Sequence, residues 1–191
     1  MTGRTHDLAA VTALTAALVY FPPSPVTLAT AVTAIAANLL GAVAPDIDQP
    51  TSSLWLKIPA GSLFGHIISP LLDHHRKLSH SLLGLALFGF LAKYLLTYIH
   101  TFLLVDIRLV WWAFMLGFAS HLVMDTLTKE GVPWFFPIPV RLGFPPLKAL
   151  RVTTGGEVEN LLVFTLLLLI TAYLVYSHYL FLWTFFTHLQ K

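Results

Sequence analysis

The sequence is poor in charged residues and contains no cysteine. Lys and Arg together number 11 and Asp and Glu number 9, so only 10% of the 191 residues are charged, against about 25% in ordinary soluble domains. The absence of cysteine excludes disulfide frameworks and thiolate metal sites. A formal net charge of +2 is too small to indicate a nucleic-acid partner.

Hydrophobic residues are correspondingly abundant. They make up 57% of the chain, and the mean hydropathy is +0.77. This composition excludes a disordered chain. A soluble protein of this length still exposes about a third of its unfolded surface area, and too few charged residues are present to cover it. The composition therefore predicts an integral membrane protein.

Five long apolar segments, almost free of charged residues, predict membrane-spanning helices. Prolines at positions 22, 23 and 25 separate the first two segments, because proline at that density ends a helix. The apolar character resumes directly after them, which disfavours a cleaved signal peptide. We expect an all-α polytopic membrane bundle, a single domain over residues 1–191, with spans at about 8–21, 26–44, 78–99, 109–127 and 160–190.

Residues 58–73 have the pattern of an interfacial helix that lies on the bilayer without crossing it. Apolar residues recur at the spacing of one helix face, and polar residues take the other face. The apolar positions are Leu63, Phe64, Ile67, Ile68, Leu71 and Leu72, and the polar positions are Ser62, His66, Ser69 and Asp73.

Five spans place the N-terminus, the 45–77 loop and the 128–159 loop on one side of the membrane. Most of the basic residues outside the spans lie on this side, whereas Arg108 and Lys191 lie on the other. The positive-inside rule therefore predicts that the first side faces the cytoplasm. Its basic residues are Arg4, Lys57, Arg76, Lys77, Lys129, Arg141, Lys148 and Arg151.

Acidic residues and histidines concentrate on the same side. Ionisable groups in or beside a bilayer are costly unless they have a partner. A bound divalent cation is the simplest partner, because carboxylates and imidazoles are its usual ligands. The residues concerned are Asp7, Asp46, Asp48, Asp73, Asp125, Glu130, Glu157 and Glu159, together with His6, His66, His74, His75, His80 and His121.

Two pairs of these residues have a spacing that suits metal binding. His121 and Asp125 are four residues apart in the fourth span, so they share one helix face and can reach one ion. The alternative is a simple hydrogen bond between them. Asp46 and Asp48 lie between two prolines, which favours extended backbone with both carboxylates on one side. The alternative is a solvated turn.

Three further segments contribute candidates. His75 and His80 cannot reach one ion from a single straight helix, so we expect His75 and Arg76 in the loop and His80 in the first turns of the third span. The alternative is a basic cluster attracted to lipid headgroups. His6 precedes the first span and is either a ligand or an ordinary exposed residue. Glu159 begins the fifth span, where the helix dipole also stabilises a carboxylate without a metal.

Together, the motifs resemble those of the YdjM-like family of membrane-bound metal-dependent hydrolases. The resemblance runs from His6 to Glu159 and departs from the family at two positions, since Ser79 stands where threonine is expected and Lys77 where glycine is expected. The motifs are a histidine near the start, Pro-Asp-Ile-Asp, His-Arg-x-x-Ser-His-Ser, Ser-His-x-x-x-Asp-x-x-Thr and Gly-Val-Pro-x-x-x-Pro.

By position, the resemblance implies a set of site residues. Arg76 matches the arginine of the family, and Arg141 matches a downstream basic position. Glu159 fits a Gly-x-x-x-Glu pattern counted from Gly155. The residues that match the metal site are His6, Asp46, Asp48, His75, His80, His121 and Asp125.

The chemistry that we expect is hydrolysis by a metal-activated water. Seven or eight nitrogen and oxygen ligands suit two or three divalent ions, with zinc as the first choice and manganese or iron as alternatives. Asp46 or Asp48 would accept the proton of the water. Arg76 and Arg141 would bind an anionic group, which favours a phosphoester of a lipid or lipid-linked substrate.

Two other functions are compatible with the sequence. The first is a non-catalytic membrane protein that senses or carries a divalent cation, although the opposite side of the membrane offers few acids to line a path. The second is a structural membrane protein without a metal.

Overall fold

The described residues of the computed structural model form a bundle of α-helices. These residues are 1–23, 25–52, 55, 61, 63, 65–67, 77–187 and 189. They contain isolated bridges at Thr128–Val152 and Val132–Leu142 but no strand, which confirms the predicted all-α class. The helices are α1 (Gly3–Tyr20), α2 (Leu28–Val43), α3 (Leu82–Leu103), α4 (Ile107–Thr126), α5 (Phe164–Ser177) and α6 (Tyr179–Thr187).

The described residues also form three short helical segments. A 3₁₀ helix, Ala44–Asp48, continues α2, and a π-helical segment, Val158–Val163, leads into α5. A second 3₁₀ helix, Lys148–Leu150, lies in the loop between α4 and α5. Most of the predicted interfacial helix at 58–73 lies outside the described residues, and the described positions 61, 63 and 65–67 are helical.

Among the described residues, four helices are long and apolar enough to cross a membrane. They cover Leu28–Asp48, Leu82–Ile99, Ile107–Thr126 and Val158–Ser177, in agreement with the second to fifth predicted spans. Helix α1 is not among them, because its first turns contain Arg4, His6 and Asp7 and are therefore polar. The predicted span started at residue 8, whereas α1 begins at Gly3. His6 therefore lies within the helix and not ahead of it.

The last predicted span, 160–190, is not one continuous helix. The backbone leaves helical geometry at His178 (φ −119°, ψ 25°), which separates α5 from α6. The Ser177 hydroxyl donates to the carbonyl of Tyr173 at 2.6 Å, and His178 Nδ1 lies 3.2 Å from the carbonyl of Leu174. Side chains that bond to the preceding turn compete with the helical hydrogen bonds, a local effect that apolar periodicity cannot reveal.

Polar side chains fix where three of the helices begin. Thr27 accepts a hydrogen bond from the backbone N–H of Thr30 at the start of α2, and Ser81 accepts one from Gly84 at the start of α3. Asp106 accepts from the N–H of Arg108 at 2.9 Å at the start of α4. Each side chain satisfies a backbone donor that the first helical turn leaves without a partner.

Helices α2 and α4 approach each other closely through small residues. A Cβ atom on Gly117 would lie 2.0 Å from the carbonyl oxygen of Asn38, and one on Gly41 would lie 2.1 Å from that of Phe114. The buried Asn38 amide donates to the carbonyl of Ala113 at 3.0 Å. This packing fixes the end of α2, which leads directly into the following 3₁₀ helix, against the middle of α4.

Candidate metal centre

Four parts of the chain meet at one end of the bundle. His6 comes from α1, Asp46 from the 3₁₀ helix after α2, His80 from the turn before α3, and His121 and Asp125 from α4. The side chains of both α4 residues, of His6 and of His80 are at most 1% exposed, whereas that of Asp46 is 25% exposed. The site is therefore almost closed, and its opening is beside Asp46.

Four atoms of these residues form a compact group, which we call the four-ligand cluster: Asp46 Oδ1, His80 Nε2, His121 Nε2 and Asp125 Oδ2. The two imidazole nitrogens are 3.3 Å apart. His80 Nε2 lies 3.4 Å from the Asp46 oxygen and 3.6 Å from the Asp125 oxygen. His121 Nε2 lies 3.7 Å from each of the two oxygens.

Hydrogen bonds at the Nδ1 atoms of His80 and His121 determine which ring nitrogen carries the proton. His121 Nδ1 lies 2.6 Å from the carbonyl of Ala42, which can only accept, so Nδ1 carries the proton. The Ser79 hydroxyl donates to Asp48 Oδ2 and lies 3.0 Å from His80 Nδ1. Because that hydroxyl has one proton and gives it to the carboxylate, it accepts from His80 Nδ1–H. When neutral, each ring therefore directs an Nε2 lone pair into the cluster.

The distances within the cluster suit a shared cation better than hydrogen bonds. Hydrogen bonds between nitrogen and oxygen are usually about 2.7–3.2 Å long, and the four nitrogen–oxygen distances here are 3.4–3.7 Å. In a tetrahedral site with metal–ligand bonds of about 2.0–2.2 Å, neighbouring ligand atoms are about 3.3–3.6 Å apart. The ligand atoms of Asp46, His80 and His121 lie within 4.8 Å of one another and can hold a metal ion, and the same is true of those of His6, His121 and Asp125.

His6 lies against the other side of this cluster. Its ring stacks on that of His121, with centroids 3.6 Å apart and an interplanar angle of 7°. Its Nε2 is 3.3 Å from Asp125 Oδ1, the oxygen that the Met1 amino group also contacts. Among the described residues, neither ring nitrogen of His6 has a hydrogen-bond partner. Asp125 thus directs one oxygen at the four-ligand cluster and the other at His6.

The sequence had suggested that the carboxylates of Asp46 and Asp48 point to the same side. In the structure they point in different directions. Residues 44–48 form a 3₁₀ helix and not extended backbone, and with three residues per turn, positions two apart point in different directions. Asp46 faces the imidazoles, whereas Asp48 is fully buried behind Ser79 and its carboxylate accepts the hydroxyl proton.

Three other sequence predictions have different outcomes. His80 lies in the turn just ahead of α3 and not in its first helical turns. Arg141 is exposed in the loop between α4 and α5 and makes no hydrogen bond or ion pair with a described residue. His75 and Arg76 lie outside the described residues.

Glu159 is fully buried beside the cluster but has its own partners. Its Oε1 accepts from the N–H of Thr2 at 2.6 Å, from the Thr2 hydroxyl at 2.8 Å and from the Thr5 hydroxyl at 2.7 Å. Its Oε2 accepts from the N–H of Gly155 at 2.8 Å. These four donors fix the start of α1, which carries His6, to the start of the π-helical segment.

Ser79 is a site residue that sequence reasoning overlooked. It entered only as a departure from the threonine of the family, although both residues carry the hydroxyl group that connects His80 to Asp48. The hydroxyl group that serine and threonine have in common could have indicated a role for this position. Its meaning required the positions of Asp48 and His80, which are 32 residues apart in the sequence and adjacent in space.

Replacing this hydroxyl gives a first prediction. We expect Ser79→Ala to weaken metal binding about 10–100-fold, because the loss of an outer hydrogen bond leaves the ligating histidine less well oriented. Ser79→Thr keeps the hydroxyl and serves as the matched control, with affinity within about threefold of the parent. Competition titration of the purified protein with a chromophoric chelator measures both. Equal affinities for the alanine and threonine variants would contradict the role of the hydroxyl.

Comparison with known proteins identifies the family of this chain. The family described as YdjM inner membrane protein matches residues 1–185. The chain belongs to this family. It is 31% identical to YvsG of Bacillus subtilis (strain 168) over 163 residues, which cover 85% of this chain and 88% of YvsG.

Inner membrane protein YdjM of Escherichia coli (strain K12) is a second relative. It is also 31% identical over 133 residues, which cover 67% of this chain and 60% of YdjM, and the same values hold for YdjM of Shigella flexneri. No solved structure matches the chain. Family membership and the spanning helices make this protein a helical integral membrane protein, and its buried His and Asp groups can hold a metal ion.

Proposed function

We propose that the protein is a membrane-bound, metal-dependent hydrolase that cleaves a phosphoester of a lipid or lipid-linked substrate. The observation that supports this proposal is the four-ligand cluster, in which two imidazole nitrogens lie 3.3 Å apart and each carboxylate oxygen lies 3.4–3.7 Å from both of them, close to the ligand spacing of a tetrahedral metal site. Zinc accepts this mixture of ligands and this geometry most readily, and manganese and iron are the alternatives.

A second ion beside His6 would be consistent with the geometry. Asp125 has one oxygen in the four-ligand cluster and the other 3.3 Å from His6 Nε2, so its carboxylate could contribute one ligand atom to each of two ions. His75, which the family resemblance adds to the ligand set, is a candidate for completing this second site. Two ions held by one carboxylate are a recurring arrangement in enzymes that hydrolyse phosphoesters.

Asp46 is the best candidate for a general base. A bound divalent ion supplies a Lewis acid and lowers the pKa of an attacking water toward neutrality. Asp46 is the only partly exposed member of the cluster, and its Oδ1 faces the imidazoles while Oδ2 takes no part in the distances above. That second oxygen can accept a proton at the opening of the site. Asp48 is less suited, because it lies buried behind Ser79.

The position of the cluster favours a substrate from the membrane. The ligands come from the ends of α2 and α4 and from the turn before α3, and these three helices belong to the membrane-spanning set. A site at the ends of membrane-spanning helices is readily accessible to a substrate that resides at the bilayer surface. Arg76 and Arg141, which the sequence predicts to lie on the same side of the membrane, are our candidates for binding its phosphate, since a guanidinium matches phosphate oxygens with two parallel hydrogen bonds.

Metal analysis combined with a hydrolysis screen tests the proposal. Protein purified in detergent is expected to contain one to two equivalents of a divalent metal by elemental analysis. It should release phosphate or alcohol from at least one member of a panel of phosphomonoesters, phosphodiesters and phospholipids. Removal of the metal by a chelator should abolish the activity, and reloading with zinc, manganese or iron should restore it.

Each negative result has a distinct meaning. A protein that binds metal but cleaves no member of the panel would favour the sensor or carrier function over the hydrolase. A folded protein that binds no metal, even when reloaded at neutral pH, would contradict the metal centre itself.

A further inference from the structure

The loop between α4 and the π-helical segment is basic and rich in proline. Residues 131–156 contain no Asp or Glu, but they contain Arg141, Lys148 and Arg151. The same stretch contains Pro133, Pro137, Pro139, Pro145 and Pro146. We refer to residues 131–156 as the basic loop. None of it belongs to the helices that are long enough to cross the membrane.

The basic loop also exposes large hydrophobic side chains. Six of them have exposed fractions between 49% and 67%. Apolar groups this close together are uncommon on a surface that faces water, and they usually mark contact with a partner or a membrane. The six residues are Phe135, Ile138, Val140, Phe144, Leu147 and Leu150.

Many backbone N–H groups of the basic loop are hydrogen-bonded within the protein. The N–H groups of Ile138, Val140 and Phe144 donate to the carbonyls of Phe135, Ile138 and Thr126, at 3.0, 2.8 and 2.8 Å. Those of Phe136, Leu142 and Leu150 are also bonded within the protein, and the five prolines have no N–H to satisfy. Each backbone donor that is already paired lowers the cost of moving this part of the loop from water into the headgroup layer.

The basic loop is anchored beside the metal centre. Leu82, two residues after His80, donates its N–H to the carbonyl of Trp134 at 3.0 Å. The Trp134 indole donates to the hydroxyl of Thr126, the neighbour of Asp125, at 2.9 Å. Hydrogen bonds to the start of α3 and to the end of α4 therefore fix the position of the basic loop relative to the four-ligand cluster.

We propose that the basic loop rests in the headgroup layer of an anionic bilayer leaflet. Its six exposed apolar side chains lie at the boundary with the acyl chains, and Arg141 and Lys148 contact lipid phosphates. Amphipathic surfaces of this kind combine burial of apolar area with attraction to anionic lipids. This inference goes beyond the proposed hydrolysis, since it requires neither a metal nor turnover.

Charge favours lipid over a second copy of the chain as the occupant of this surface. Two basic loops placed face to face would bring Arg141 and Lys148 of both copies together without any acid from the loops, and like charges repel. An anionic leaflet supplies the opposite charge. On the side that the positive-inside rule predicts to be cytoplasmic, the leaflet is the anionic one.

Site-directed spin labelling tests the proposal, and the absence of cysteine allows single labels without other changes. Nitroxides are attached to Ile138→Cys and Leu147→Cys, and to Thr154→Cys as an exposed polar control within the same loop. The labelled full-length chains are reconstituted in phosphatidylcholine vesicles with or without about 30% phosphatidylglycerol. Labels 138 and 147 should be more accessible to oxygen than to a water-soluble nickel complex, and label 154 should show the reverse.

The basic residues are tested in the same samples. Combining Arg141→Gln and Lys148→Gln should raise the nickel accessibility of labels 138 and 147 at least about twofold in anionic vesicles and leave it unchanged in phosphatidylcholine alone. Nickel accessibility at 138 and 147 equal to that at 154 would overturn the membrane contact. Spin–spin broadening that disappears on dilution with unlabelled protein would instead identify a contact between copies. An unchanged accessibility in the glutamine variant would refute the contact with lipid phosphate.

Discussion

Asp125→Asn is expected to abolish metal binding and hydrolysis together. Asp125 contributes Oδ2 to the four-ligand cluster and presents Oδ1 to His6. Asparagine has almost the same shape, but it removes one negative charge. Its N–H₂ group is a donor and cannot act as a metal ligand in place of a carboxylate oxygen. We expect metal affinity to fall by more than about 100-fold and turnover to fall by about 1,000-fold or more, equivalent to about 4 kcal/mol in the barrier.

Asp106→Asn is the matched control for this variant. Asp106 is an exposed cap at the opposite end of the same helix, and asparagine caps a helix about as well as aspartate. Elemental analysis and the phosphoester assay should give parental values for this control. If Asp125→Asn retained full metal content and turnover, the four-ligand cluster could not be the metal centre.

Glu159→Ala is expected to produce the largest loss of stability. The carboxylate of Glu159 is buried and accepts hydrogen bonds from Thr2, Thr5 and Gly155. Alanine leaves two backbone N–H groups and two hydroxyls without this acceptor, and a buried unsatisfied donor costs about 1–3 kcal/mol. We expect the free energy of unfolding to fall by about 2 kcal/mol or more, because the half-buried Thr2 N–H loses its acceptor, whereas the exposed Gly155 N–H can bond to water and the hydroxyls can turn.

Thermal unfolding in detergent, together with the metal content of the folded fraction, distinguishes this role from ligation. Glu157→Ala is the control, because Glu157 is an exposed acid two positions earlier. A fall in Tm for the Glu159 variant with unchanged metal content supports its role in anchoring α1. An unchanged Tm with loss of metal would mean that Glu159 is a ligand, as its position in the family pattern implies.

The membrane-spanning helices could be predicted because transfer into lipid depends on composition along a continuous segment. The second to fourth predicted spans agree with α2, α3 and α4 to within a few residues. The errors occurred where local hydrogen bonds override hydrophobicity, as at the break after Ser177, and where a helix extends into polar sequence, as in the first turns of α1 with Arg4, His6 and Asp7.

The site was predictable as a set of residue types but not as an arrangement. Topology alone placed His6, Asp46, His80, His121 and Asp125 on one side of the membrane, and these five residues meet in the structure. The direction of a side chain after a helix end depends on a few backbone angles. The sequence could not show that Asp46 and Asp48 lie in a 3₁₀ helix, in which their side chains point in different directions.

The sequence by itself determined that this protein resides in a membrane, that it is helical, and that its acids and histidines gather on one side. These properties are sums over many residues, so errors at single positions do not change them. Only the tertiary structure decided that the lone pairs of His80 and His121 face one another and that Asp48 acts through Ser79. Such contacts join residues far apart in the chain, and their distances depend on how closely α2 packs on α4 at Gly41 and Gly117.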